Sequence, residues 1–451
     1  MHCVNSFFHL ILLLLLDFSS FPAPANAQID LHAHLNMKPG LGIFLQGNFN
    51  EEPKVSHWSD RIFTKVSATS LAEMTSVTRP KLIVLSLYAH PYLSYSYSRD
   101  GFQFDRRENV RRTIEEEYQE FIKFIEAHTD HFTIAHNSSE ARSILKDGKT
   151  VIVISLEGAW ATLETPEDYH RWIDERGLAI VTPVHLTPDS LGGNALMSAL
   201  VSFANSTTDF LESVWNTHGS CLKPHSYCKS ADGFTQAGNQ VVDELMKKNV
   251  WIDLAHANEL EVENIIHKYE VGINNSGTLP LLITHTQLRE FYPAERGLGQ
   301  LEINYIRKHD GIIGLIPSQF MIGTALKTEK DELASATQGI PCVSGLDIFK
   351  KSVAYAIATL GTPARVALAS DINAPLEGLS PGCGDQASGN SETFLAQLDL
   401  HRLGFYTYSQ WNALTTFVDP DTAVEGQPTW PEQSLEHFLE LWEKIRPIKN
   451  H

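Results

Sequence analysis

The chain has 451 residues, and 54 acidic side chains against 35 Lys and Arg give it a net charge of −19. That balance excludes nucleic acid as the main partner, because phosphate binding needs a basic face. With 43% hydrophobic, 10% aromatic and 20% charged residues, the composition is that of a globular protein and excludes disorder as the dominant state.

The N-terminus reads as a targeting segment. Leu10–Leu16 is an almost unbroken Leu/Ile run, too short to span a bilayer, and Ala25-Asn26-Ala27 makes an A-x-A cleavage site. Residues 1–27 are therefore expected to be a signal peptide cleaved near Ala27-Gln28. Residues 28–451 would be a single domain, secreted or periplasmic. No later run reaches transmembrane length, and the polar Lys444–His451 end carries no lipid-anchor signal, so no membrane anchor is expected. In an oxidising compartment Cys221 and Cys228 are expected to form a disulfide, with Cys342–Cys383 as a second pairing. The rival for the first pair is a zinc knuckle, but only His225 lies between the two cysteines and no C-x-x-C occurs.

Eight short apolar runs follow in chain order: Ile29–His34, Leu82–Tyr88, Val151–Glu157, Leu178–His185, Val250–His256, Leu281–His285, Ile312–Pro317 and Val366–Asp371. Runs apolar on both faces suit strands of a parallel sheet buried on both sides. Helical spacing appears between and after them, in Asp105–His128, in Gln236–Lys248 behind an N-cap at Thr235, and in Glu432–Ile445. Eight strands alternating with helices predict an α/β fold, the (β/α)8 TIM barrel. The Pro/Gly/Ser-rich stretches Ser318–Asp347 and Asn373–Glu392 then become long loops after strands seven and eight, on the face where such barrels carry their sites.

The residues ending the predicted strands are of one chemical kind. They are His32 and His34, Glu157, His185, His256, His285 and Asp371. Imidazoles and carboxylates converging on one barrel mouth suit zinc or a similar divalent ion. His32 and His34, two apart, point to the same side of a strand. Glu157 could bridge two ions, with His256 and His285 completing the second. Such a pair, about 3.5–4 Å apart, would hold a bridging hydroxide and polarise a carbonyl. Asp371 would take the nucleophile's proton and pass it to the leaving group. Tyr88, Tyr92, Tyr95 and Tyr97, around the end of strand two, either line the pocket or pack their own loop.

These residues carry a resemblance. Gly233-Phe234-Thr235-Gln236-Ala237-Gly238 with Trp251-Ile252-Asp253-Leu254-Ala255-His256 resembles the Gly-Leu-Thr-x-x-Gly helix and Asp-Leu-Ser-His strand end of the renal or membrane dipeptidases, zinc enzymes of the amidohydrolase superfamily. Thr284-His285-Thr286 is similar to that family's Ser-His-Ser, and Ala369-Ser370-Asp371 to its Gly-Ser-Asp. The resemblance implies a metal-dependent dipeptidase with two zinc ions, bridged by Glu157, with His32 on one and His256 and His285 on the other. It also implies that His185 binds the substrate and its tetrahedral intermediate and that Arg296 grips the substrate's carboxylate, a role suited to a guanidinium fork. A homodimer is left open.

Three departures accompany it. His32-Ala33-His34 stands where the family usually has His-x-Asp, which leaves the site one negative charge short. Gly158-Ala159-Trp160 replaces Gly-Gly-His, and Ile372-Asn373-Ala374 follows Asp371 in place of a Phe-Asp-Gly type of sequence. Two other readings therefore stay open: a metal hydrolase of a lactone, cyclic amide or phosphoester, and an exported binding protein on an inactive barrel.

Overall fold

The computed structural model describes residues 29–34, 45–46, 54–55, 75, 79–91, 105–223, 225–271, 278–336, 343–374, 376, 378–379, 408–419 and 428–447. The signal segment, Cys342, Cys383, Tyr92, Tyr95, Tyr97 and most of Asn373–Glu392 lie outside them.

Eight parallel strands make the centre: β1 (Ile29–Ala33), β2 (Leu82–Tyr88), β3 (Thr150–Glu157), β4 (Ile180–Thr182), β5 (Trp251–Ile252), β6 (Leu281–Thr286), β7 (Gly311–Leu315) and β8 (Val366–Leu368). Their spatial order is β5-β4-β3-β2-β1-β8-β7-β6. β5 meets β6 at the parallel bridge Asp253–Leu282, where the Leu254 N–H donates to the Leu282 carbonyl at 3.0 Å, and the ring closes. The eight apolar runs thus form the barrel, with ladders shorter than the runs at β4 and β5. β4 stops at Thr182 because Pro183 has no N–H to offer a neighbour. A short strand that the sequence reading did not include, Phe132–Ile134, pairs with the first half of β3.

Among the helices between and after these strands are α1 (Arg106–Ala127), α2 (Gln236–Lys247), α3 (Glu259–Val271), α4 (Gln300–His309), α5 (Gln319–Ala336), α6 (Gly345–Leu360) and α7 (Trp430–Ile445). α1 is capped by the Asp105 carboxylate, which accepts the N–H groups of Arg107 and Glu108, and α2 by the Thr235 hydroxyl, which accepts that of Gly238. α7 begins two residues before the expected Glu432, because Thr429 and Glu432 close a capping box around it. The connection after β7 is not irregular throughout: α5 occupies much of it. Its Ala325-Leu326-Lys327-Thr328-Glu329-Lys330 segment is rich in helix formers, a signal masked by the Gly and Pro further along.

Side chains on one face of a strand climb from an apolar base to a polar mouth. On β3 this face carries Val151, Val153, Ser155 and Glu157, and on β2 Leu82, Val84, Ser86 and Tyr88. The apolar base packs on α7 through Leu435, Phe438, Leu439 and Trp442, and Trp251 stacks on Phe438 at 5.6 Å between ring centroids. The other face packs against the surrounding helices. The expected Cys221–Cys228 disulfide is formed in the segment between β4 and β5. Among the described residues no helix is long and apolar enough to cross a membrane.

Candidate metal centre

Glu157 occupies the last position of β3 and pairs in register with Tyr88 of β2 and Thr182 of β4. Gly158 follows with φ of 90°, a conformation that favours glycine and turns the chain away immediately above the carboxylate. His32 lies on β1, His34 just past it and His285 on β6, whereas His185 and His256 sit on the loops just above β4 and β5. Asp371, beyond β8, is left-handed at φ 48°, held there by its N–H bond to the His32 carbonyl at 2.9 Å. Such a conformation costs about 1 kcal/mol or more for a residue with a side chain, least for Asn and Asp.

The structure brings all of these residues together around Glu157, each buried except His185, whose side chain is 11% exposed. Glu157 Oε1 lies 3.1 Å from His256 Nε2, 3.2 Å from His285, 3.3 Å from His185 and 3.6 Å from His32. Its Oε2 lies 3.5 Å from His34 Nε2, and Asp371 Oδ1 lies 3.4 Å from the same nitrogen. Despite this crowding, Oε1 has no aligned hydrogen-bond donor.

The spacing fits ions. Two imidazoles on one tetrahedral zinc put their nitrogens about 3.3 Å apart, given Zn–N bonds of about 2.0–2.1 Å. Here His32 and His34 Nε2 are 3.1 Å apart, and His256 and His285 Nε2 are 3.0 Å apart. Two clusters converge closely enough to hold an ion each, His32–His34–Glu157 and Glu157–His185–His256, and they share Glu157. His185 is thus nearer the ligand set than the substrate-binding role assigned to it by resemblance requires.

The electrostatics suit the same use. Burial drives the His256 and His285 imidazoles well below the usual histidine range, helped by Arg296 and His185 at the first and by His32 at the second, so both are neutral donors. Burial works against ionised Glu157, but the His185 and His32 imidazoles override it and hold the carboxyl well below its usual range. At His34 burial opposes protonation, yet Asp371 and Glu157 push the imidazole up to about 9. A divalent ion must therefore displace a proton there.

Around the ligands stand groups of other kinds. The Arg296 guanidinium is buried; its Nη2 donates to the His285 carbonyl at 2.9 Å and lies 3.4 Å from His256 Nε2, while Nε and Nη1 have no partner. Tyr88, named among the loop tyrosines, is buried edge-on against His185 at 4.5 Å with its hydroxyl unpaired. His90, buried beside it, is lowered to about 4 by burial and by His185. Sequence reasoning missed His90 and Glu117. The Glu117 carboxylate accepts the Tyr88 N–H at 2.8 Å, and burial raises it to about 8. An acid in the apolar row of an amphipathic helix, at the spacing of Thr113 and Phe121, was the available signal.

Comparison with solved structures places the same architecture elsewhere. The fold matches the crystal structure of the probable dipeptidase PvdM from Pseudomonas aeruginosa with a TM-score of 0.62, at 14% identity over 93% of this chain and 95% of that one. It matches a metallo peptidase from Rhodobacter sphaeroides, solved with a phosphinate mimic of the dipeptide L-Ala-D-Ala, with a TM-score of 0.61, at 16% identity over 93% and 99% of the two chains. An amidohydrolase from Pseudomonas aeruginosa gives 0.54, at 13% identity over 93% and 96%. At these identities the likeness speaks for the fold alone. No curated protein sequence matches the chain. The model of the membrane dipeptidase family, peptidase family M19, matches residues 59–380, a span that holds Glu157, His185, His256, His285, Arg296 and Asp371 and begins after His32 and His34. With that match over most of its length and a buried pair of metal-binding clusters sharing Glu157, the chain belongs to the membrane dipeptidase family and is a metal-dependent hydrolase.

Proposed function

We propose that the protein is an exported dipeptidase that works with two zinc ions, His32 and His34 holding one, His256 and His285 the other, and Glu157 both. The observation that carries this reading is Glu157 Oε1, buried among four imidazole nitrogens and hydrogen-bonded to none. An all-histidine and carboxylate donor set favours zinc over harder cations. When bound, such ions polarise the scissile carbonyl and acidify a water. Asp371 takes the proton of that water and returns it to the leaving amine. His185 faces the carbonyl oxygen and steadies its developing charge. Arg296, with Nε and Nη1 free of protein partners, offers N–H groups and its charge to the substrate's carboxylate. Export is supported by the Leu10–Leu16 run and A-x-A site and by the Cys221–Cys228 disulfide, which suits an oxidising compartment.

Elemental analysis of the wild type and of Glu157→Gln, with turnover of a panel of free dipeptides, tests the reading. Two divalent ions per chain, at least one of them lost in the variant, and hydrolysis of dipeptides are expected. No metal after reconstitution would overturn it. Hydrolysis of a lactone or phosphoester with dipeptides untouched would move the same site to the second reading, which His34 in place of a carboxylate favours. In the producing cell the protein should accumulate outside the cytoplasm with Gln28 as its N-terminus, and cytoplasmic protein that retains residues 1–27 would refute export.

A further inference from the structure

Behind the two clusters a single hydroxyl touches a ligand of each. Thr284 Oγ1 lies 2.9 Å from His285 Nδ1 and 3.3 Å from His32 Nδ1. It also lies 2.6 Å from Asp253 Oδ2, which accepts a second hydroxyl, that of Thr182, at 2.6 Å. The other Asp253 oxygen accepts the Thr284 N–H at 2.7 Å and the Ala255 N–H at 3.1 Å. Every member of this network is buried.

A threonine hydroxyl has one proton and two lone pairs. Both Asp253 oxygens are already met by donors, the Thr284 and Ala255 N–H groups at one and the Thr182 hydroxyl at the other, so Asp253 acts as the acceptor and the short contact to it takes the proton. Both lone pairs then face imidazoles, and each imidazole must present Nδ1–H to them. That fixes the proton of both rings on Nδ1 and leaves both Nε2 lone pairs turned toward Glu157. Were the hydroxyl to donate to either ring instead, that ring would carry its proton on Nε2, where it would block an ion. We propose that Thr284, oriented by Asp253, is a positioning residue for both metal ions at once, setting the tautomer of His32 at one and of His285 at the other. This rests on the two-ion reading of the site. Partners of this kind behind a ligating histidine are commonly worth 10–100-fold in metal affinity.

Stepwise titration of the metal-free protein with cobalt(II), followed by calorimetry and by the visible bands of the bound ion, tests it. Wild type should take up two ions. Thr284→Val, nearly the same shape without the hydroxyl, should weaken both by about 10–100-fold. Thr284→Ser should restore both. Thr182→Val, which strips the other hydroxyl from Asp253 but touches neither ring, should bind within about threefold of wild type. Normal uptake by a folded Thr284→Val, or weakening of one ion alone, would overturn the proposal while leaving the metal site standing. No uptake by wild type would overturn it together with the function reading. An independent arm uses no variant: nitrogen-15 shifts of the metal-free wild type should show His32 and His285 both protonated at Nδ1, and an Nε2–H form at either would refute the assignment.

Discussion

Arg296 holds a buried charge with half of its fork unpaired, an arrangement that is costly unless an anion completes it. If that anion is the substrate's carboxylate, Arg296→Met should lower kcat/KM for free dipeptides by about 10–100-fold, the worth of a hydrogen bond to a charged group. Dipeptide amides, which lack the carboxylate, should be hydrolysed by the variant as poorly as by the wild type. Equal losses on both substrates would assign Arg296 to support of His256 and His285 instead. Asp371 makes a separate prediction. Its place 3.4 Å from His34 Nε2, in a left-handed turn, sets it over the ligands with a carboxylate oxygen to spare. Asp371→Asn should keep its metal and lose about 10²–10⁴-fold in kcat with little change in KM, as for a general base. Loss of metal from that variant would make Asp371 a ligand. Asp371, with Glu157 and the histidines, was legible in the sequence because a barrel strand ends where its site begins, so a run of Val, Ile and Leu closing on His, Glu or Asp marks the mouth. Arg296 follows no such run and was named only through the family resemblance. What lies behind these residues was not legible. Asp253 and Thr284 stood inside recognised motifs, but their meaning depends on β4, β5 and β6 lying side by side, and sequence spacing does not reveal which hydroxyl faces which ring.

At the scale of elements, strands were easier to read than their connections. Eight apolar runs are a long-range pattern with few rivals, whereas α5 hid in a stretch whose glycines and prolines were taken for the whole of it. The strand Phe132–Ile134 is too short to stand out at all. The fit of the closing helix to the barrel is clearer still from its charges. Asp310, at the foot of β7, lies 3.1 Å from His437 Nε2, 3.2 Å from Arg365 Nε and 3.3 Å from Lys444 Nζ, the first and last of these on α7. Burial opposes its ionisation, but His437, the Gly311 N–H and Lys444 carry the carboxyl well below its usual range. A carboxyl depressed in the folded state stabilises fully above its unfolded value of about 4. The contribution is lost as pH falls toward the lower folded value. Asp310→Asn keeps the shape and leaves the backbone at that position, with its φ of 82°, carrying a side chain of the same size. Asp310 is partly exposed, so solvent screening limits the loss to about 1 kcal/mol at neutral pH. Denaturant unfolding of wild type and variant should show curves separated from pH 5 upward that converge as the pH drops below about 4. A gap that widened in acid would reverse the sign of the argument.

Taken whole, the molecule separates its chemistry from its anchoring along the barrel axis. From Val151 to Glu157 a strand rises about 20 Å at roughly 3.3 Å per residue, and over that rise the interior changes from apolar packing on α7 to the ligand ring. Phe438 fills the base, fully buried and stacked on Trp251. Phe438→Ala should therefore destabilise by about 3–5 kcal/mol, the usual cost of emptying an aromatic site in a core. Metal bound at the mouth adds its own stability by mass action. Sites farther apart than about 10 Å with no shared partner combine additively, to within roughly 0.5 kcal/mol. The loss caused by Phe438→Ala should accordingly be the same in metal-free and metal-loaded protein, and the loaded variant should keep wild-type kcat/KM below its unfolding temperature. Denaturant titrations of both proteins in both states measure this directly. A loss that shrank or grew on metal loading would mean that α7 sets the spacing of the strand ends, so that the helix closing the bottom of the barrel also tunes the ions at its top.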